Sequence, residues 1–424
     1  MGKTTKTVLM ALLLILLVAA ALPFALPSSV YEGQLGPTLQ RMAHGNIKVG
    51  QYTFEYTPRP ALVLQNVIID NDPAVGKIDR IAVPINAYNV LNWGKALRDV
   101  EIEGGKFSPT FAISLPQRLK PEPETPRLTD LKLIKSSVVV GQGELGPVDG
   151  TVRFDQNGQL AELMITDSER HLELHIEPKE GVFALTLNAS NWELPFGYPV
   201  KFDSLLLKGV GNSAGIVIED IRADLYSGIV TGNGQLNWGD GWQLSGTVRS
   251  NGLQAEPFSQ VFTKTTRSSG RLVGEANFVF KAADYPQLFD APAIDAKLQL
   301  RDGILYNLDL VTPLKSQGSG AYHGGQTTFA TVDTLLQIRP NVVQFSKTRI
   351  ESGKYLAVGG LTIGAGQKLN GSFAARVNSG ALVVSNQIQI AGTLDKTQFH
   401  TGAAYRPREG DAPAEPAPEA PAAQ

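Results

Sequence analysis

Through most of the chain, apolar and polar residues alternate with a period of two. Leu172, Leu174 and Ile176 alternate with His171, Glu173, His175 and Glu177; after a turn over residues 178–181, Phe183, Leu185 and Leu187 alternate with Ala184, Thr186 and Asn188. The period returns at Trp242, Leu244 and Val248, at Leu272, Ala276, Phe278 and Phe280, and at Ala296, Leu298 and Leu300. Side chains of a strand point alternately to its two faces, so the pattern predicts a long antiparallel sheet with one solvated and one oily face.

Helical periodicity is scarce. Residues 31–44 suit a short helix. Ala87, Val90 and Leu91 fall at i, i+3, i+4 between Pro84 and Gly94, and Phe258, Val261 and Phe262 follow Pro257. The last two segments are short and amphipathic, and each predicts a plug over one patch of sheet. The rest of the oily face needs a cover: a second sheet, the same sheet curled on itself, or a ligand with long hydrocarbon tails. The expected fold is therefore mainly β, a long curved antiparallel sheet forming an apolar groove, with a few short amphipathic helices. The lining expected of that groove is Leu172, Leu174, Ile176, Phe183, Leu185 and Leu187, continued by Leu272, Phe278, Phe280, Leu298 and Leu300.

Breaks in the pattern divide the chain. Residues 116–126, with Lys120, Pro121, Glu122, Pro123 and Glu124, predict an exposed loop or junction, because prolines and charges do not pair inside a sheet. On either side lie a β region with a short helix over 31–115, a middle β region over 127–262 and a last β region over 263–402. Residues 403–424 are mostly Ala, Pro and Glu and predict a disordered tail.

At 424 residues the chain exceeds one ordinary core, so two domains or one elongated body are expected. Its 38 basic and 40 acidic side chains nearly cancel without forming a basic cluster, which argues against a nucleic-acid partner. The absence of cysteine excludes disulfides, thiol catalysis and cysteine-based metal sites. Lys3 and Lys6 precede an uncharged stretch over residues 8–27, long enough as a helix to span a bilayer. Lysines before it and none just after it predict a cytoplasmic N-terminus over residues 1–7 and the bulk of the chain outside. A cleaved signal peptide is the competing reading; Pro23 and Pro27 occupy the place where a cleavage site would fall, which favours the anchor.

Candidate chemistry is sparse. Gly211-Asn212-Ser213-Ala214-Gly215 matches the hydrolase Gly-x-Ser-x-Gly pattern, but the alternation after it predicts a strand where the nucleophile elbow needs a helix. His171, Glu173 and His175 share one strand face, yet such neighbours stand nearly 7 Å apart and converge on one metal only with help from another strand. Asp70-Asn71-Asp72 is followed by Pro73 and lacks the glycine of a calcium loop. No acid–base pair is nominated, so no catalytic residue, metal or cofactor is expected.

The same segments resemble the AsmA-like proteins of Gram-negative envelopes. Near the amino end the resemblance rests on Gly45-Asn46-Ile47-Lys48-Val49, on Pro60-Ala61-Leu62-Val63-Leu64-Gln65-Asn66-Val67, on Leu91-Asn92-Trp93-Gly94 and on Val100-Glu101-Ile102-Glu103-Gly104-Gly105. Towards the other end it rests on Asp302-Gly303-Ile304-Leu305 with Asp309, on Gln326-Thr327-Thr328-Phe329 and on Val358-Gly359-Gly360-Leu361-Thr362-Ile363. Asn307 and Leu308 depart from the pattern, and residues 131–252 match only in rhythm. The resemblance implies a non-enzymatic repeating-sheet groove, held in the inner membrane through residues 8–27 and reaching into the periplasm. It would carry phospholipid or another acyl-chain lipid for outer-membrane biogenesis, with a possible envelope protein partner. The alternative is a membrane-tethered assembly or regulatory protein whose self-covered β-sandwich domains bind other proteins.

Overall fold

A computed structural model describes residues 28–401, apart from 141–142, 180–181, 195–198, 213, 239, 262–267, 316–321 and 379–382. The expected anchor over 8–27, the cytoplasmic residues 1–7 and the tail over 403–424 lie outside the described residues, as do Ser213 and Phe262. No helix among the described residues is long and apolar enough to cross a membrane. Strand accounts for 65% of the structure, well over twice the usual share, so the fold is mainly β as expected. The chain falls into two compact units, one of residues up to Ser250 with Asn277–Pro292, the other of Asn251–Ala276 with Ala293–Gln424.

In the first unit, helix α1 (Ser28–Met42) leads into β1 (Ile47–Glu55), β2 (Ala61–Ile69) and β3 (Gly76–Pro84). The link over residues 43–46 is short, and Leu35 and Leu39 of α1 pack with Ile47, Val49 and Tyr52, so α1 lies back over β1; burial, and secondarily the Glu32 carboxylate, raise the Tyr52 phenol pKa. There follow α2 (Ala87–Leu91), β4 (Ala96–Leu97), β5 (Val100–Glu103), β6 (Lys106–Phe107), α3 (Pro109–Arg118) and β7 (Arg127–Leu128). A run of long strands comes next: β8 (Asp130–Val140), β9 (Gly143–Phe154), β10 (Leu160–Asp167), β11 (Leu172–Lys179), β12 (Val182–Glu193), β13 (Lys201–Gly211), β14 (Gly215–Leu225), β15 (Gly228–Asn237) and β16 (Trp242–Gln254). Successive strands from β8 to β15 pair antiparallel, but β5 and β6 pair parallel to β8. The sheet is thus mixed, which corrects the wholly antiparallel expectation. The turn after β3 sends β5 back along β3, and the α3 segment then returns the chain so that β8 starts beside β5 in the same direction.

The α3 helix also trims the expected loop over 116–126: it takes residues 116–118, while 119–126 form the loop as expected. Ser108 caps the helix by accepting from the Phe111 amide at 3.2 Å, and Pro109 stands in the first turn, where a missing N–H costs nothing. Phe111 and Leu115, four apart, bury against Tyr52, Leu64, Ile78 and Phe107, joined by Leu35 and Leu39 of α1.

The second unit includes α4 (Ala255–Gln260), part of β17 (Arg271–Ala282), β18 (Pro292–Tyr306), α5 (Thr312–Lys315), β19 (Tyr322–His323), β20 (Gln326–Arg339), β21 (Val342–Ser352), β22 (Tyr355–Ile363), β23 (Leu369–Asn378), β24 (Val383–Gly392) and β25 (Thr397–Thr401). Strands β18 and β20 to β25 pair antiparallel in sequence order, and β19 closes against β25. Their inner face is fully buried at Phe329, Ile350, Phe373, Ile388, Ile390 and Phe399, and Leu308, Leu310, Val311 and Leu314 pack over it. This lid is pinned by polar contacts. The Leu310 amide donates to Thr327 Oγ1 at 2.9 Å, Thr327 Oγ1 donates to the Leu308 carbonyl at 2.7 Å, and Asp309 accepts from the Val311 and Thr312 amides.

Candidate apolar binding face

Residues paired across neighbouring strands point to the same side of a sheet, so the register of the first unit reveals which side chains share a face. One row runs Tyr52, Leu64, Ile81, Ile102, Leu133, Gly150, Ile165, Leu174, Leu187, Leu207, Ile221 and Gly232. The row beside it runs Phe54, Leu62 and Val83, which packs against Val100, and from there Leu131, Val152, Leu163, Ile176, Leu185, Gly209, Ile218 and Gly234; the Tyr52 phenol is the one polar group in either row. On the reverse side, Lys132, Thr151, Met164, His175, Thr186, Lys208 and Asp220 stand in line.

The rows keep their parity through a bulge in β14. Lys208 pairs with Asp220 and Gly209 with Ile218, so Glu219 is an extra residue, and Ile218 and Ile221, three apart, face the same way. Gly209 is required there, because a Cβ on it would stand 2.4 Å from the Val217 carbonyl oxygen. That bulge is why the plain alternation of β14 breaks at Glu219 and Asp220.

Cover divides the face in two. From β1 to β9 the chain packs its own segments over it: α1 and α3 lie over the buried Tyr52 and Leu64, Leu97, Leu119, Leu128 and Phe154 pack around the buried Val100, Leu131 and Val152, and Leu62, Ile81, Val83, Ile102 and Leu133 among them are half-buried. From β10 onward Leu163, Ile165, Leu174, Ile176, Leu185, Leu187, Leu207, Ile218 and Ile221 are all only half-buried. At one border the face closes again, with Ala189, Leu205, Ala223 and Leu225 buried. Beyond β15, a Cβ on Gly246 of β16 would meet the Phe278 ring at 2.7 Å, and Phe280 meets Phe289 edge-on with centroids 5.3 Å apart. Trp242 is edge-on to Tyr285 at 4.7 Å, and Leu288 beside that tyrosine is buried.

The sequence-predicted lining is thus distributed over both units. Leu172, Leu174, Ile176, Phe183, Leu185 and Leu187 share one half-buried face of β11 and β12, with Leu174 opposite Leu187 and Ile176 opposite Leu185. Phe278 and Phe280 are half-buried among the aromatic contacts just described, and Leu272 is buried. In the second unit Leu298 stands opposite Thr334, whose hydroxyl is hydrogen-bonded to that of Thr348, and Leu300 packs against the lidded core. Leu163, Ile165, Leu207, Ile218 and Ile221 belong to the open face and were not anticipated; weak alternation in β10 and the β14 bulge hid them.

The other sequence candidates find ordinary places. Gly211 ends β13, Gly215 starts β14, and the Asn212 side chain accepts from the Ala214 and Gly215 amides, which makes a hairpin turn rather than an elbow before a helix. His175 contacts Glu162 on the neighbouring strand at 2.8 Å, whereas His171 stands 3.2 Å from Glu169. No group of three or more His, Asp or Glu suited to a metal ion occurs among the described residues. Asp70 pairs with Arg118 at the end of α3.

The α2 segment corrects the expectation of a plug. Its buried residue is Asn89, whose amide group donates to the Pro84 and Arg98 carbonyls at 2.7 and 2.9 Å and accepts from the Arg98 amide at 2.8 Å. Val90 and Leu91 point to solvent instead. Satisfying a loop's backbone groups through Asn89 outweighs burying two aliphatic side chains there.

No family model, no curated protein and no solved structure matches the chain.

Proposed function

We propose that the chain is a periplasmic lipid-transfer protein of the AsmA-like kind, anchored in the inner membrane through residues 8–27. It carries phospholipid along the apolar face for outer-membrane biogenesis. The observation that supports this reading is the pair of apolar rows, covered by α1, α3 and neighbouring segments of the chain from β1 to β9 and without a fully buried aliphatic side chain from β10 to β15. Five inter-strand steps of about 4.8 Å make that open stretch roughly 24 Å wide. One leaflet of a bilayer has tails about 15 Å deep, so the stretch accommodates the tails of a lipid molecule.

Binding on such a face is generic. Each methylene withdrawn from water contributes about 0.8 kcal/mol, so an acyl chain with ten methylenes covered gains roughly 8 kcal/mol without any specific polar contact. Headgroups stay at the wet border of the sheet, because burying a charge among hydrocarbon side chains is costly. The chain supplies no acid, base or nucleophile to this work.

Gentle detergent purification of the full chain, followed by mass spectrometry of an organic extract, tests the reading. Phospholipid should accompany the folded protein. A folded chain whose extract contains no acyl-chain lipid would instead favour the tethered assembly protein with dry, self-covered domains.

A further inference from the structure

The turn after β3 exposes an apolar tip. Ile85 is 40% exposed, Val90 54%, Leu91 83% and Trp93 71%, all within nine residues. The tip is held firmly from beneath. Asn86 caps α2 by accepting from the Asn89 amide at 2.8 Å, Asn89 is bonded as above, and the Arg98 guanidinium lies 5.6 Å from the centre of the Tyr88 ring. Asn92 caps the end of the helix, and Gly94, at φ +71°, makes the left-handed turn two residues later. Residues 85–98 contain no Asp or Glu; Lys95 is exposed beside the apolar side chains, while Arg98 pairs with Asp130 of β8 at 3.5 Å.

The position of this tip within the first unit matters. Helix α1 ends four residues before β1 and packs Leu35 and Leu39 on the cluster that holds Ile47, Val49 and Tyr52, so it lies back over β1 and its beginning at Ser28 lies towards the Glu55 end. Glu55 pairs with Ala61, and Ala61 pairs with Pro84, so β3 ends there as well and α2 begins just beyond it. The chain arriving from the uncharged stretch over 8–27 and the exposed tip therefore share one end of the β1–β3 sheet.

We propose that Val90, Leu91 and Trp93 insert into the interfacial layer of an anionic phospholipid bilayer, with Lys95 at its headgroups. A tryptophan with aliphatic neighbours and a flanking lysine is the composition that such a layer favours, apolar below and cationic at the level of the phosphates. The tip gives the first unit a second attachment and fixes which end of its sheet abuts the membrane. The direction of approach rests on the reading of residues 8–27 as the anchor; the affinity of the tip for lipid does not.

The absence of cysteine permits single-site labelling of the full chain. Leu91→Cys, carrying an environment-sensitive fluorophore, is reconstituted with phosphatidylethanolamine and phosphatidylglycerol whose acyl chains are brominated. Ile229→Cys, exposed on β15, serves as control. Both positions are exposed, so neither change disturbs packing. Emission from the Leu91→Cys label should shift to the blue and be quenched several-fold more than that from the control. Alkaline carbonate extraction of the same membranes tests the anchor separately. A chain that resists extraction but leaves the Leu91→Cys label unquenched overturns the tip and spares the anchor. A chain that is extracted, yet quenched on phosphatidylglycerol vesicles, sustains the tip and overturns the anchor. A blue shift without quenching by brominated lipid points to a second copy of the chain on the tip and overturns the proposal.

Discussion

Strands β1 to β9 and strands β10 to β15 carry the same two apolar rows, yet they solve the problem of cover in different ways. In the first group the chain supplies the cover itself, from α1, α3 and the segments around Leu97, Leu119 and Leu128. In the second, the aliphatic side chains of the rows remain half-buried. The second unit by itself repeats the first solution, with Leu308, Leu310 and Leu314 lidding Phe329, Ile350 and Phe399. The fold thus lids two of its apolar surfaces with its own residues, whereas no aliphatic side chain in the two rows is fully buried from β10 to β15, the contrast on which the lipid proposal rests.

The contrast is sharpest in unfolding experiments. Leu64 is 1% exposed beneath α1 and α3, so Leu64→Ala should cost about 2–5 kcal/mol in urea unfolding. Equal losses for Leu64→Ala and Leu187→Ala would erase the distinction between the groups. Gly209→Ala, which forces a Cβ against the Val217 carbonyl, should cost about 1–3 kcal/mol and disturb the β14 bulge that keeps Ile218 in its row. Leu187→Asp should change stability by about 1 kcal/mol, since the site is half-open, while most co-purifying phospholipid is lost.

The smallest effect belongs to the lidded core. Burial, and secondarily the Asp309 carboxylate, hold the Tyr355 phenol well above its ordinary value of 10, and its hydroxyl donates to the Leu310 carbonyl at 3.3 Å. Below pH 10 both the folded and unfolded chains keep this proton. Above it the unfolded chain releases the proton first, so the second unit loses stability as pH rises from there. Urea midpoints compared between about pH 9 and about pH 11 should fall less in Tyr355→Phe than in the unchanged protein.

Much of the β architecture was legible because alternation is a local signal. The β11–β12 hairpin follows directly from Leu174, Ile176, Leu185 and Leu187, and the register places these residues opposite one another. Cover was not legible, because it depends on which distant segments fold over which strands. Helix α3 was not legible, because its residues divide between the expected β region up to 115 and the Pro-rich loop from 116, although Phe111 and Leu115 stand four apart. In α2 the helical spacing of Ala87, Val90 and Leu91 suggested a core-facing plug, whereas the hydrogen bonds of Asn89 turn Val90 and Leu91 outward. The joining of separate strand patterns into continuous rows required pairing that no single segment specifies.

The central claim is that acyl chains, rather than protein, lie on the face from β10 to β15. Its most direct test is photocrosslinking in intact cells, with a photoreactive residue at Leu187 of the full chain and, for comparison, at Thr186 on the reverse side and at the covered Leu64. Phospholipid adducts should form at Leu187 and be scarce at the other two positions. Adducts no more frequent at Leu187 than at Thr186, or protein adducts in their place, would contradict the account.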